Sequence, residues 1–373
     1  MSEQPIPYFD LLRSHENLRS DFHAVLDELI DTGQFVMGDH VSKFEEGFSN
    51  YVGTRYAVAT NSGTSALHLA LEACGIGEGD EVITTPLTFI ATTAAISYVR
   101  AKPVFVDINP LTWNMDPELI RSAITPRTKA IVPVHLHGLM ADMPAIMRIA
   151  NEFGLKVIED AAQAHGASIN GIYASGFGHA TAFSFYPGKN LGALGEGGAI
   201  VSNDASIIER SRLMRNWGSY EKYQHEEIAF NYRMDSLQAG FLSIKLLEIG
   251  EWTKKRVQIA NRYSRAFSSA GIPCPHQQEG FNHVYHVYAI LSKNRKMITD
   301  SFNRAGIGHG VHYPVIVPNQ KAYQHLQTKK NEFPIAEEIA SRLFSLPIFP
   351  GMTDDEVEVV INRVIEIESH ESR

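Results

Sequence analysis

Between residues 55 and 203, short apolar runs take turns with stretches of helical periodicity, and most of the runs are continuous rather than alternating. Continuous β-rich runs mark strands buried on both faces, and strands separated by helices pair mainly in parallel. The pattern therefore predicts an α/β fold whose sheet is covered by helices on both sides. The seven runs are RYAVAT (55–60), EVITTP (81–86), KPVFVDI (102–108), KAIVPVH (129–135), KVIED (156–160), ATAFSF (180–185) and GGAIVSN (197–203). Helix ends are also readable. Asp116 followed by Pro117 is an N-cap with proline in the first turn, and Gly154 is a C-cap for the helix over 142–153. From residue 236 the alternation stops, and SLQAGFLSIKLLEIGEWTKKRVQIANRYSRAFSSAG reads as one or two long amphipathic helices. After Gly271 the pattern predicts a strand over 283–291, a helix over 298–305, a strand over 308–313 and two final helices. Thr353 and Glu356 open the last of these at capping-box spacing. The expected organisation is a large domain over 1–250 and a smaller C-terminal α/β domain over 251–373.

A chain of 373 residues can bury a large core unaided. With 33 basic and 42 acidic residues its net charge is −9, which argues against nucleic acid as a general partner. The two cysteines, Cys74 and Cys274, are far apart and form neither a disulfide framework nor a zinc knuckle. The opening stretch shows no secretory apolar core, and no apolar run reaches the length of a membrane span. The expected location is cytoplasmic.

Ligands of such sheets sit beyond the carboxyl ends of the strands, and the candidate chemistry lies there. In FSFYPGKNLGALGEGGAI (183–200), a strand ends at Ser184, a Pro-Gly turn follows, and Lys189 stands in a glycine-rich loop. That placement suits an amine that bonds covalently to a cofactor, although a surface turn lysine is the ordinary alternative. The loop is not a P-loop, because Phe183 and Asn190 occupy positions that motif reserves for Gly and Ser/Thr. In VIEDAAQAHGA (157–167), Asp160 ends an otherwise apolar strand. Its carboxylate needs a cation or strong donors, which a protonated pyridine nitrogen or a helix cap would equally provide. Gln163 and His165 follow. In ATNSGTSALHLALEA (59–73), Ser62-Gly63-Thr64-Ser65 begins a helix with free amides and hydroxyls, which suits a phosphate or a simple cap. Phe89, in TTPLTFIATTAAI (84–96), follows a strand end, where its ring is available to stack on a planar ligand or to join the core. FNYRMDSLQAG (230–240) and HGVHYPV (309–315) add Asn231, Arg233, His312 and Tyr313. His135, His137 and His165 lack the cysteines or clustered carboxylates of a usual ligand set, so no metal site is expected.

Taken in order, these stretches resemble the fold-type I pyridoxal-phosphate (PLP) aminotransferases, and within them the DegT/DnrJ/EryC1/StrS sugar aminotransferases. The resemblance covers essentially the whole chain, from PYFDL and GQFVMG (33–38) to SLPIFPGMTDDEV (345–357). It implies that Lys189 forms the internal aldimine and is the general base, and that Asp160 pairs with the pyridine nitrogen. Phe89 would stack on the ring, Gly63, Thr64 and Ser184 would hold the phosphate, and Gln163 would touch the ring's hydroxyl side. Asn231 would reach the cofactor phosphate of a neighbouring subunit, which implies a homodimer with shared sites. Tyr186, His312 and Tyr313 would contact the acceptor, and Tyr223 the partner's sugar or nucleotide. The implied reaction moves an amino group from L-glutamate to a nucleotide-linked keto-deoxy sugar. The Lys189 loop together with RNWGS (215–219) is most similar to members acting at C3 of 6-deoxyhexoses. Asn231-Tyr232-Arg233-Met234-Asp235, in place of the frequent N-S-R-L-D, also resembles members acting on 4-keto sugars. A cyclitol acceptor or a PLP- or sugar-binding regulator are the other readings. Sugar dehydratases of similar fold replace the lysine by histidine, so Lys189 favours transamination.

Overall fold

The computed structural model describes residues 5–329 and 331–369. All seven expected runs are strands of one sheet: Tyr56–Thr60, Glu81–Thr84, Lys102–Phe105, Thr128–Val132, Lys156–Asp160, Ala180–Ser184 and Gly198–Ser202. Across the sheet the order by first residue is 56, 198, 180, 156, 128, 81, 102. Gly198–Ser202 runs antiparallel to both its neighbours, and the remaining pairings are parallel. The apolar runs are continuous because successive residues serve two cores. Ile131, Val157, Phe183 and Val201 face the helices Asp39–Val52, Met143–Phe153 and the start of Ser236–Ser269. Val132, Ile158, Ala182 and Ile200 face Gly63–Ala73, Ile90–Tyr98 and Ala205–Arg215. The caps are as expected. Asp116 accepts from the Glu118 amide, Gly154 takes φ 65° at a helix end, and Thr353 and Glu356 exchange hydrogen bonds of 2.8 and 3.2 Å.

The segment after residue 236 is a single helix of 34 residues, Ser236–Ser269. Its first half packs Leu242 and Ile249 on the sheet's core, and its second half packs Ile259, Tyr263 and Phe267 in a separate apolar cluster. Two expected strands change here. The run 283–291 becomes a strand only at Tyr288–Leu291, because the Val284 and Val287 amides donate instead to the carbonyls of Gly138 and His137. Residues 308–313 are not a strand. They make only isolated bridges beside them, Ile6 with Ile307 and Gly310 with Ser345. The partner of Tyr288–Leu291 is Leu343–Leu346, an antiparallel strand set between the two last helices, Pro334–Arg342 and Asp354–Ser369. No helix among the described residues is long and apolar enough to cross a membrane.

Candidate active site

The carboxyl ends of the sheet strands open into one cavity of about 550 Å³. Lys189, Asp160, Gly63, Thr64, Phe89, Gln163 and Ser184 line it, as do Tyr186, His312 and Tyr313. Chain order does not explain this convergence. It arises because Gly63 and Thr64, Phe89, Asp160 and Gln163, and Ser184, Tyr186 and Lys189 stand at or beyond the carboxyl ends of four strands of one sheet, while His312 and Tyr313 reach the cavity from a segment outside that sheet.

Asp160, the last residue of its strand, is 5 % exposed. One carboxylate oxygen accepts from Thr92 Oγ1 at 2.7 Å and the other from the Ala162 amide at 3.1 Å. Burial raises its pKa, and these two donors and the neighbouring Lys189 oppose the rise. Each oxygen keeps a lone pair for a further donor. Lys189 is half-buried, and its amide closes a turn onto the Tyr186 carbonyl at 2.8 Å. Burial pulls its pKa down to about 8 although Asp160 pushes it up. The loop that carries it is held from behind. Asn190 donates to the Val284 carbonyl at 3.0 Å, and the buried Lys245 donates to the Gly192 carbonyl.

Ser62 caps the helix Gly63–Ala73 by accepting from the Ser65 amide at 3.1 Å. This leaves the Gly63 and Thr64 amides among the first of the helix, which have no intrahelical acceptor. Glycine at 63 is a matter of space, since a Cβ there would lie 2.5 Å from Ser184 Cβ. Gln163 is fixed at both ends of its amide. Oε1 accepts from the His137 amide at 2.7 Å, and Nε2 donates to the Tyr313 hydroxyl at 3.2 Å. The Phe89 ring is 55 % exposed and lies 5.7 Å from that of Tyr313. His312 Nδ1 stands 2.9 Å from Ser345 Oγ, and burial brings its pKa down to about 4.

Asn231 and Tyr223 do not line the cavity. Asn231 is exposed and accepts from Arg233 Nε at 2.9 Å, while Tyr223 is 83 % exposed on a surface loop. Two of the three histidines weighed as ligands have ring nitrogens bonded elsewhere. His135 accepts from the Ala141 amide and donates to the buried Glu159 at 2.8 Å, and His137 donates to the His312 carbonyl at 2.9 Å. His165 is buried between the rings of Phe183 and Phe185, and burial lowers its pKa to about 3. Among the described residues no group of three or more His, Cys, Asp or Glu could hold a metal ion. Sequence reasoning missed Thr92, Tyr8, His286 and Arg256. Thr92 had a signal, because Thr88 and Thr92 stand one helical turn apart just after a strand end, with hydroxyls 2.9 Å apart. Arg256 had none, since it is one basic residue among several on a long helix.

Relatives carry the same architecture over their whole length. A dTDP-3-amino-3,4,6-trideoxy-alpha-D-glucose transaminase of Streptomyces venezuelae is 39 % identical, over 97 % of this chain and 96 % of that one. A protein of Geobacillus stearothermophilus named "Pleiotropic regulatory protein" is 40 % identical, over 98 % and 99 %. The crystal structure of S. venezuelae DesV in complex with a ketimine intermediate superposes with a TM-score of 0.95 at 39 % identity, covering 98 % of this chain and 99 % of that one. Residues 16–365 match the model of the DegT/DnrJ/EryC1/StrS aminotransferase family, and the chain belongs to that family.

Proposed function

We propose that the protein is a PLP-dependent aminotransferase that transfers the amino group of L-glutamate to the C3 keto carbon of a nucleotide-linked keto-deoxy sugar. The observation that carries this reading is the meeting, in one cavity, of an amine of lowered pKa, a buried carboxylate with room for one more donor, and the start of a helix closed over by Ser184. The three features fit a phosphorylated pyridine aldehyde. Lys189 would carry its aldehyde carbon, Asp160 its ring nitrogen, and Gly63, Thr64 and Ser184 its phosphate. Phe89 would cover the ring, and Gln163, held by His137, would meet its hydroxyl. When bound, the cofactor supplies a sink for the electron pair left as the donor's Cα proton departs.

The remaining work falls to the chain's own side chains. Asp160 keeps negative charge at the ring nitrogen, and the Thr92 bond holds the carboxylate in place. Lys189 Nζ, with its pKa near 8, would take the Cα proton and deliver it to the carbon that the cofactor's aldehyde supplies. His312 is neutral at pH 7, so it can meet a sugar hydroxyl without adding charge. Tyr186 and Tyr313 would line the acceptor's side. Asn231 and Tyr223 would act across a homodimer, a role supported by their exposure together with that of Trp217 and Ile228 near them. The division into 1–250 and 251–373 is supported by the two apolar clusters that share the long helix, although Ile6 joins the second. A cytoplasmic location fits the two unpaired cysteines.

The C3 preference draws support from the 3-amino product in the name of the S. venezuelae relative, with C4 amination as the alternative. The regulator reading draws on the name of the G. stearothermophilus relative, but a silent protein has no need of Lys189, Asp160 and the helix start together. A single-turnover test decides. Holoenzyme first converted by L-glutamate is mixed with a nucleotide-linked 3-keto-6-deoxyhexose or its 4-keto isomer, and return of the visible cofactor band is followed. Return with the 3-keto sugar alone is expected, and return with the 4-keto sugar alone would overturn C3. A Lys189→Ala protein that still turns over with glutamate would sink the aminotransferase mechanism.

A further inference from the structure

The second half of the helix Ser236–Ser269 brings a positive charge into the cavity that the chemistry above leaves unused. Arg256 is 6 % exposed and lines the cavity beside Tyr8, His286, His312 and Ile348. A guanidinium this deep ordinarily stands against a carboxylate. Arg256 forms no ion pair among the described residues. The cavity's two carboxylates are placed elsewhere. Asp160 is bonded to Thr92 and Ala162, and Glu196 is exposed. Arg256 Nη1 is spent on the backbone, donating to the carbonyls of Ile348 at 2.8 Å and Tyr285 at 3.4 Å. Those bonds fix the plane of the group. Nε has no partner, and Nη2 makes no hydrogen bond among the described residues. Nε is closed off from solvent, so Nη2 is the nitrogen left to donate a charge-assisted hydrogen bond into the cavity. Burial lowers the pKa only to about 10, so the group is charged at neutral pH.

We propose that Arg256, through Nη2, anchors a carboxylate of the amino donor. The assignment rests on the aminotransferase reading and adds the residue that makes an amino acid the donor. An amino acid must bring its Cα to Lys189 while its carboxylate finds a cation in the same cavity. Lys189 is occupied with the proton, and Arg256 is the other cation lining that cavity.

The test uses PLP-loaded holoenzyme and glutarate, a dicarboxylate with no amine to react. Calorimetry gives its Kd for wild type, R256Q and R256K, and the cofactor band follows conversion by L-glutamate. R256Q is expected to weaken glutarate about 10- to 100-fold, the range for a lost hydrogen bond to a charged group. R256K should weaken it less, since it keeps the charge without the guanidinium. Glutamate conversion should need correspondingly more donor while its limiting rate holds. Wild-type glutarate affinity in R256Q would overturn the assignment and leave the aminotransferase reading standing. So would a loss in R256Q confined to acceptors that carry a uronic carboxylate, which would give Arg256 to the sugar. A wild type that glutamate does not convert would remove the donor reading and this assignment together. Should R256Q fail to fold for want of its carbonyl bonds, a crystal structure of wild-type holoenzyme with glutarate decides. A carboxylate on Arg256 Nη2 supports the assignment, and one seated elsewhere refutes it.

Discussion

Gly63 is where folding and the proposed cofactor site share the same few ångströms, and Gly63→Ala tests both. The added Cβ would lie 2.5 Å from Ser184 Cβ and 3.0 Å from both Ser184 Cα and Oγ, about 1 Å inside ordinary contact. Neither side can retreat freely. Ser184 pairs with Gly198, whose own Cβ position lies 2.3 Å from the Ser62 carbonyl, so the strand ends and the helix start are already in contact. The helix is seated by Leu67 and Ala70 on the core that includes Ala182 and Ile200. Overpacking of this kind costs about 1–3 kcal/mol, which for a chain of this size lowers the melting temperature by roughly 1–4 °C. The displacement also moves Ser184 Oγ and the Gly63 and Thr64 amides away from a shared anion. Losing one such charge-assisted bond weakens phosphate binding about 10- to 100-fold. Absorbance titration with PLP and with pyridoxal, which lacks the phosphate, separates the two effects. The variant should lose affinity for PLP and change little toward pyridoxal. If PLP and pyridoxal keep their wild-type ratio, the helix start is not the phosphate site, whatever happens to the melting temperature.

Thr92→Val removes the 2.7 Å bond to Asp160, so the carboxyl pKa rises further. Turnover should fall about 10-fold, and the acid limb of the pH–rate profile should move to higher pH. An unshifted acid limb would refute a role for Thr92 through Asp160. Lys245 is buried over the Trp252 ring, and its folded pKa is near 7, well below the value of a free lysine. Between pH 7 and about 10.5 the unfolded chain therefore holds the extra proton, and wild-type stability should rise with pH through that window. Lys189 adds to the slope in the same direction. Lys245→Met should remove Lys245's share of it and gain roughly 2 kcal/mol at pH 7 after loss of the Gly192 bond, measured by urea unfolding from pH 6.5 to 9.5. Phe302→Leu in the second apolar cluster, where the ring meets Phe344 at 5.1 Å, should weaken glutamate and acceptor binding several-fold while leaving PLP affinity intact. Equal loss of PLP affinity would show that the cluster supports the whole cavity rather than one wall.

The main sheet was legible because its strands are buried on both faces, and that condition writes itself into sequence as unbroken apolar runs. Lys189, Asp160, Ser184 and Gly63 were legible for a related reason, since each stands at a strand end or just beyond one. The second apolar cluster left weaker marks. LFSL (343–346) is too short and too near two helices to announce a strand, yet it pairs with Tyr288–Leu291. HGVHYP reads as a strand from composition, but its backbone meets Ser345 only at Gly310 before His312 and Tyr313 turn to the cavity. Arg256 and Lys245 were invisible for a physical reason. A long helix rich in Lys and Arg gives no local sign of which cations are buried, because that depends on segments 29 to 92 residues away in the chain.

The cavity's construction also bears on how one chain can hold the cofactor firmly and exchange its substrates. The groups assigned to the cofactor come from the sheet and are each held by a second contact, Asp160 by Thr92, Gln163 by His137, and the Lys189 loop by Asn190 and Lys245. The groups assigned to donor and acceptor, Arg256, His312 and Tyr313, come from outside the main sheet, with Arg256 fixed by the carbonyls of Ile348 and Tyr285 and His312 by Ser345. His312 is neutral, and Arg256 has a charge and no counter-ion among the described residues. A donor and an acceptor that occupy the site in turn need that difference, because the first brings a carboxylate to this wall and the second brings hydroxyls. Neutral histidines beside one fixed guanidinium can serve both without moving a proton between half-reactions.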